Sequence, residues 1–120
     1  MQVNIPVSVG ELLDKISILE IKSLLSYNDY VERELKELNL IKDTITSYTQ
    51  EHMNQLREVN QKLWKIEDRL RVLEKENKFD DEFIELARSV YITNDKRAEI
   101  KKKINQLCNS DYMEVKLYHY

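Results

Sequence analysis

Between residues 10 and 25 apolar side chains return on nearly every face of a helix. At 3.6 residues per turn, Leu12, Ile16 and Leu19 make one file, Leu13, Ile16 and Leu24 a second, and Ile18, Ile21 and Leu25 a third. A surface helix needs one such stripe, so the spacing predicts a central helix over 9–26 with neighbours on several sides. Glu20 stands inside the second file, seven residues after Leu13 and four before Leu24, where packing alone gives a carboxylate no reason to be.

The rest of the chain keeps narrower stripes. Val31, Leu35, Leu38, Ile41 and Ile45 predict a helix over 29–47, entered through Asn28. Leu56, Val59, Leu63, Ile66, Leu70 and Leu73 alternate three and four apart, a heptad seam of coiled-coil type that predicts a long helix over 51–76. Beside that seam runs a second file, Asn60, Trp64, Glu67, Asp68 and Arg71, polar but for one aromatic whose indole N–H needs a partner. Phe83, Ile84, Ala87, Val90, Tyr91, Ala98, Ile104 and Leu107 predict a helix over 81–108, with Arg88, Asn94 and Arg97 interrupting its inner side.

Local signals set the ends. Ser8 with Glu11, and Ser47 with Gln50, have capping-box spacing; Asn77 is placed to end the third helix and Asp80 to cap the fourth. Residues 2–7 and 112–118 alternate apolar and polar, which predicts two extended segments meeting at one end of the molecule and pairing antiparallel. The only Pro and the only Gly are Pro6 and Gly10, and residues 11–120 contain neither breaker. The expectation is therefore all-α: one domain over 1–120, an antiparallel four-helix bundle with two short helices and two long ones.

Aligning helix heights at about 1.5 Å per residue brings the polar interruptions to neighbouring levels. Glu20, Asn60, Trp64, Glu67, Asp68, Arg88, Asn94 and Arg97 then form a polar column inside an apolar bundle. Buried charges need partners, and two guanidiniums facing carboxylates satisfy each other as a structural network. The same groups can also form a pocket in which the arginines clamp a carboxylate or phosphate and Trp64 and Tyr91 flank a ring. Spacing leaves both readings open.

Charge and chemistry narrow the field. A net charge of −3 argues against a nucleic-acid or anionic-membrane partner, which needs Lys and Arg concentrated on one face. The basic cluster Lys96, Arg97, Lys101, Lys102 and Lys103 falls late in its helix, where cations complement the dipole. Glu32, Glu34 and Glu37 scatter around their helix among Lys and Arg, a solvated face rather than a metal site. His52 and His119 are the only histidines and stand far apart in the chain, and Cys108 is the only cysteine. No zinc site, Ser/His/Asp relay, phosphate loop or dinucleotide fingerprint is expected, and neither is a cofactor or disulfide. With no signal peptide or spanning segment in the pattern, the chain reads as cytoplasmic.

Three blocks carry a resemblance: GELLDKISILEIK, LWKIEDRLRVLE and FIELARSVYITNDKRAEIKKKIN. They resemble a family of short uncharacterised all-helical proteins of bacteria and phages, associated with gene neighbourhoods of glycosyltransferases and surface-polysaccharide assembly. The resemblance implies a process and no reaction. Its motif positions match Asp14, Lys15, Glu20, Lys22, Trp64, Glu67, Asp68, Arg88, Asn94, Asp95 and Arg97 here. A second likeness is to the all-helical chorismate mutases, whose first helix is also rich in Ile, Leu and Asp and which bind a dicarboxylate with Arg and Lys. Helix 1 here has no Arg, a departure from that pattern.

Three functions follow as expectations: a binding module with a small anionic or sugar-like ligand at the polar column, a small isomerase or lyase using Glu20 or Glu67 as acid or base, and a pure scaffold. A homodimer is also expected. The two long helices outrun the two short ones, and Leu70, Leu73, Phe79, Phe83 and Ile84 at the far tip find no cover in their own chain.

Overall fold

The computed structural model describes residues 1–47 and 50–118. It contains four helices, α1 (Val9–Leu25), α2 (Asp29–Lys42), α3 (Gln50–Lys75) and α4 (Asp81–Leu107), and no strand among those residues. α1 packs against all three other helices, α3 packs on α4, and α2 touches α1 alone. The apolar encirclement of α1 thus does what its sequence requires. Leu12, Leu13 and Ile16 enter one core with Met53 and Leu56 of α3 and Ile104 of α4, flanked by Leu35 and Leu38 of α2. Burial stops at Ile21: Leu24 and Leu25, which extend the files into the last turn, are exposed.

Helix ends follow from local chemistry. The Asn28 side chain accepts from the amides of Tyr30 and Val31 and starts α2. α2 ends at Lys42 and not near 47, because Thr44, Ile45 and Thr46 are β-branched and the Thr44 hydroxyl takes the Ile41 carbonyl at 2.6 Å. The last bonds, Thr44 N–H to Ile41 and Ile45 N–H to Lys42, are of the tighter 3₁₀ kind. α3 and α4 both end on an asparagine in the left-handed region, Asn77 at φ 54° and Asn109 at φ 52°. Each is followed by an amide that reaches back five residues, Lys78 to Leu73 and Ser110 to Asn105, the Schellman closure in which Asn replaces the usual Gly. The Ser47 to Gln50 cap runs through residues 48 and 49, outside the described residues, as is His119.

The start of α1 is held by the end of α4. Ser8 accepts from Glu11 N–H at 3.1 Å, Asn105 Oδ1 from Gly10 N–H at 2.6 Å, and Ser110 Oγ from Val9 N–H at 3.3 Å. The free amides of the first turn are thereby satisfied by the protein itself. Only half of the expected capping box forms, since the Glu11 carboxylate turns away to Lys101. Gly10 is there for proximity: a Cβ would lie 2.7 Å from the Lys101 carbonyl oxygen and 2.9 Å from Asn105 Oδ1. Pairs 10 with 105, 11 with 101 and 14 with 97 show α1 and α4 running antiparallel.

The two extended segments do not pair. Residues 2–7 are exposed, and 114–118 lie along α4, fixed by ion pairs from Glu114 to Lys101 and Lys116 to Asp95. The charged side of the alternation faces the helix: Glu114 and Lys116 pair with α4 while Val115 and Leu117 are 69% and 86% exposed. Two side-chain ion pairs hold this strap where backbone ladder bonds were expected.

A buried carboxylate and the groove above it

Asp14 is the centre of the polar interior, with a fully buried side chain on the most enclosed helix. Arg97 binds it side-on: Nε donates to Oδ1 at 3.0 Å, and Nη2 donates to Oδ2. From α3, the Asn60 amide donates to Asp14 Oδ1 at 2.8 Å and to Ser17 Oγ at 2.6 Å, while the Ser17 hydroxyl donates to the Asp14 carbonyl at 2.7 Å. Three helices are thus joined through one carboxylate. Asn60 and Arg97 came from the predicted column; Asp14 and Ser17 did not.

Lys101, one turn beyond Arg97, is also buried, with 7% of its side chain exposed. Its ammonium contacts Glu11 at 2.7 Å and Glu114 at 3.1 Å and lies 3.9 Å from Asp14. Burial pushes its pKa down, but the hydrogen bonds to Glu11 and Glu114 and the field of Asp14 outweigh it and hold the group above the ordinary lysine range. The pair with Asp14 likewise raises Arg97. Lys101 is therefore part of the site and no dipole complement, and α4 has no basic residue in its last turn; Lys96, Lys102 and Lys103 are exposed.

The remaining column members are dispersed. Glu20, partly buried, accepts two hydrogen bonds from Arg57 on α3, at 3.0 and 3.2 Å. Trp64 is partly buried, and Glu67, Asp68 and Arg88 are exposed. Glu67, Asp68 and Arg88 lie farther along the α3–α4 hairpin than Asn60 and Arg97, the positions that bond to α1, and there a residue beside the seam faces water. Across the hairpin Arg69 pairs with Glu82 at 2.9 Å.

Above the buried network lies a groove of about 550 Å³ between α4 and the strap. Asn94, Arg97, Ala98 and Lys101 form its floor, and Glu114 to Tyr118 its wall. Arg97 Nη1 is the guanidinium nitrogen left outside the Asp14 pair. The carboxylate aligns the fork, and Arg97 lines the groove together with a buried ammonium, an amide and an aromatic ring. Such an arrangement can bind an anion or a polar ring; among the described residues the groove is lined by no thiol or imidazole.

Fold and site together define an all-helical bundle organised around a buried carboxylate with two cations beside it. The chain belongs to the Family of unknown function (DUF6165), whose family model matches residues 1–120. No curated protein and no solved structure matches it. No helix among the described residues is long and apolar enough to cross a membrane.

Proposed function

We propose that this protein is a binding module that takes a small anionic or sugar-like ligand in the groove over Arg97 and Lys101. The observation that carries the reading is the opening of the buried charge network onto that groove: a scaffold that needed only to satisfy Asp14 would not require a second buried cation at the base of a half-apolar cleft. In this reading Arg97 and Lys101 bind the charged group and Asn94 orients it. The two carboxylates expected to serve an isomerase do not line the groove: Glu20 is engaged by Arg57 and Glu67 is exposed on α3. The resemblance to bacterial and phage proteins adds a setting, cytoplasmic and beside surface-polysaccharide assembly, in which sugar nucleotides and their phosphates would be the ligands to try first. A thermal-shift screen of sugar nucleotides, sugar phosphates and dicarboxylates tests the reading. Hits weakened by Asn94→Ala and Arg97→Lys are expected; a screen without any such hit overturns it.

We also propose that the protein works as a homodimer through the tip of the α3–α4 hairpin. α3 and α4 run about 39 and 40 Å against about 26 Å for α1. Leu73 is buried between the long helices and Leu70 and Phe83 are partly so, but Phe79 and Ile84 are about half exposed, with Phe79 edge-on to Phe83 at 5.2 Å. A two-fold partner offering the same patch is the simplest cover. Sedimentation at micromolar concentration should give twice 14.5 kDa, and Ile84→Asp should halve it; a wild-type species at monomer mass rules the dimer out.

A further inference from the structure

The groove already contains an anion supplied by the chain itself. Of the carboxylates near the groove only Glu114 lines it, but Asp14, Glu11 and Asp95 also pair with its cations, so Arg97, Lys101 and Lys116 already answer to four carboxylates. An incoming anion gains a free cation only if one carboxylate withdraws. Asp14 cannot, since it is fully buried and bonded from two other helices. Glu11 reaches Lys101 from α1, anchored to α4 at Gly10, with a half-exposed side chain outside the groove lining, so its withdrawal would not clear the groove. Asp95 belongs to α4 and is bound to Lys116.

Glu114 is the movable one. It sits on an extended strap without backbone ladder bonds, beyond the end of α4, held to the helix by its own contact with Lys101 and by the Lys116 to Asp95 pair. Asp95 and Lys116 keep 44% and 26% of their side chains exposed, and pairs with that much access to water hold little. The strap also turns Met113, Val115 and Leu117 to solvent, so its present position buries little apolar surface that leaving would uncover.

We propose that the external ligand is a carboxylate or phosphate that replaces Glu114 on Lys101, the strap leaving α4 as the ligand enters. Glu114 is then an internal stand-in for the ligand, and its carboxylate marks where the ligand's charged oxygens go: about 3 Å from Lys101 Nζ, on the side of the groove that Arg97 lines. The inference rests on the binding reading above, and adds to it the class of anion and the competition that governs its affinity. A neutral sugar would not need Glu114 to leave; a phosphorylated or carboxylated one would.

The test is a ¹⁵N NMR titration of the full chain with three probes, inorganic phosphate, malonate and glucose 1-phosphate, on wild type and Glu114→Gln. Removing the competing carboxylate should tighten at least one probe by about fivefold, the scale of a partly exposed ion pair. In wild type, saturation should also shift the amides of residues 112–118 toward random-coil values and lower their heteronuclear NOE. Equal affinity in the two proteins, or binding that leaves the strap amides ordered, overturns the displacement while leaving the binding reading intact. Failure of all three probes to bind Glu114→Gln overturns both. The strap amides are read in wild type alone, and the dispersion of the Glu114→Gln spectrum shows that the variant used for the affinity comparison is folded.

Discussion

Arg97→Met is the sharpest perturbation of the buried network. It removes the guanidinium and keeps much of the side-chain volume, leaving the Asp14 carboxylate, with no exposed surface, to Asn60 and to a lysine 3.9 Å away. Removing one partner of a buried ion pair costs about 3–5 kcal/mol. Lys101 offsets part of that, but it already answers to Glu11 and Glu114, so the expected loss is at the low end, about 3 kcal/mol. For a chain of this length that corresponds to a fall in Tm of roughly 12 °C. Equilibrium urea unfolding gives the free energy directly, and Arg97→Lys, which keeps charge but loses the fork, should fall between. The double variant Asp14→Leu with Arg97→Met should recover to within about 1 kcal/mol of wild type, because neither charge remains to be solvated. If Arg97→Met alone unfolds within about 1 kcal/mol of wild type, the carboxylate is hydrated or protonated without its partner, and the account of α1 given above fails.

Further outcomes follow from the same contacts. Gly10→Ala should destabilise by about 1–3 kcal/mol, because a Cβ 2.7 Å from the Lys101 carbonyl forces α1 off α4; urea unfolding unchanged from wild type would refute the close approach. Lys101 should add a pH dependence. Its folded pKa is raised above its unfolded value near 10.5, so its contribution is complete below that pH and is lost as the pH climbs through the raised value. The stability difference between wild type and Lys101→Met should accordingly shrink in alkaline solution, and a constant difference from about pH 9 to about pH 12 would contradict it.

The helices were legible because they are written locally. A chain free of Gly and Pro past residue 10, with Asn at the turns, leaves few alternatives; Asn77 ends α3 at positive φ as its position suggested, and Asn109 does the same for α4. The column was half legible. Polar residues that break a stripe were recognised, and where α1 supplies a third wall, at Asn60 and Arg97, they are indeed drawn in. Farther along the α3–α4 hairpin the stripe argument did not hold, and Glu67, Asp68 and Arg88 ended in water. Asp14 was named only as a motif position of the resembled family and not by the stripe argument, which looked for polar residues interrupting the files of Leu and Ile. The usable signal was its place three residues before Ser17 and seven before Ile21, a polar pair leading an apolar file on a helix apolar all round. The pairing of the strap was misread because alternation marks an extended segment but not its partner, and ion pairs to α4 hold it in place of a second strand.

The division between scaffold and binding site is not a sharp one here. Asp14 fixes the Arg97 fork by taking Nε and Nη2, and the same geometry turns Nη1 away from the carboxylate. Gly10 brings α1 so close to α4 that Glu11 and Asp14 both reach Lys101, which is what keeps an ammonium charged in a buried position. The contacts that seat α1 therefore also set the charge and direction of the cations lining the groove. A variant that loosens α1 on α4 should weaken anion binding before it unfolds the protein, so Gly10→Ala, assayed where it is still folded, is expected to bind the probes less tightly than wild type. Unaltered affinity in that variant would mean that the groove is built by α4 and the strap alone.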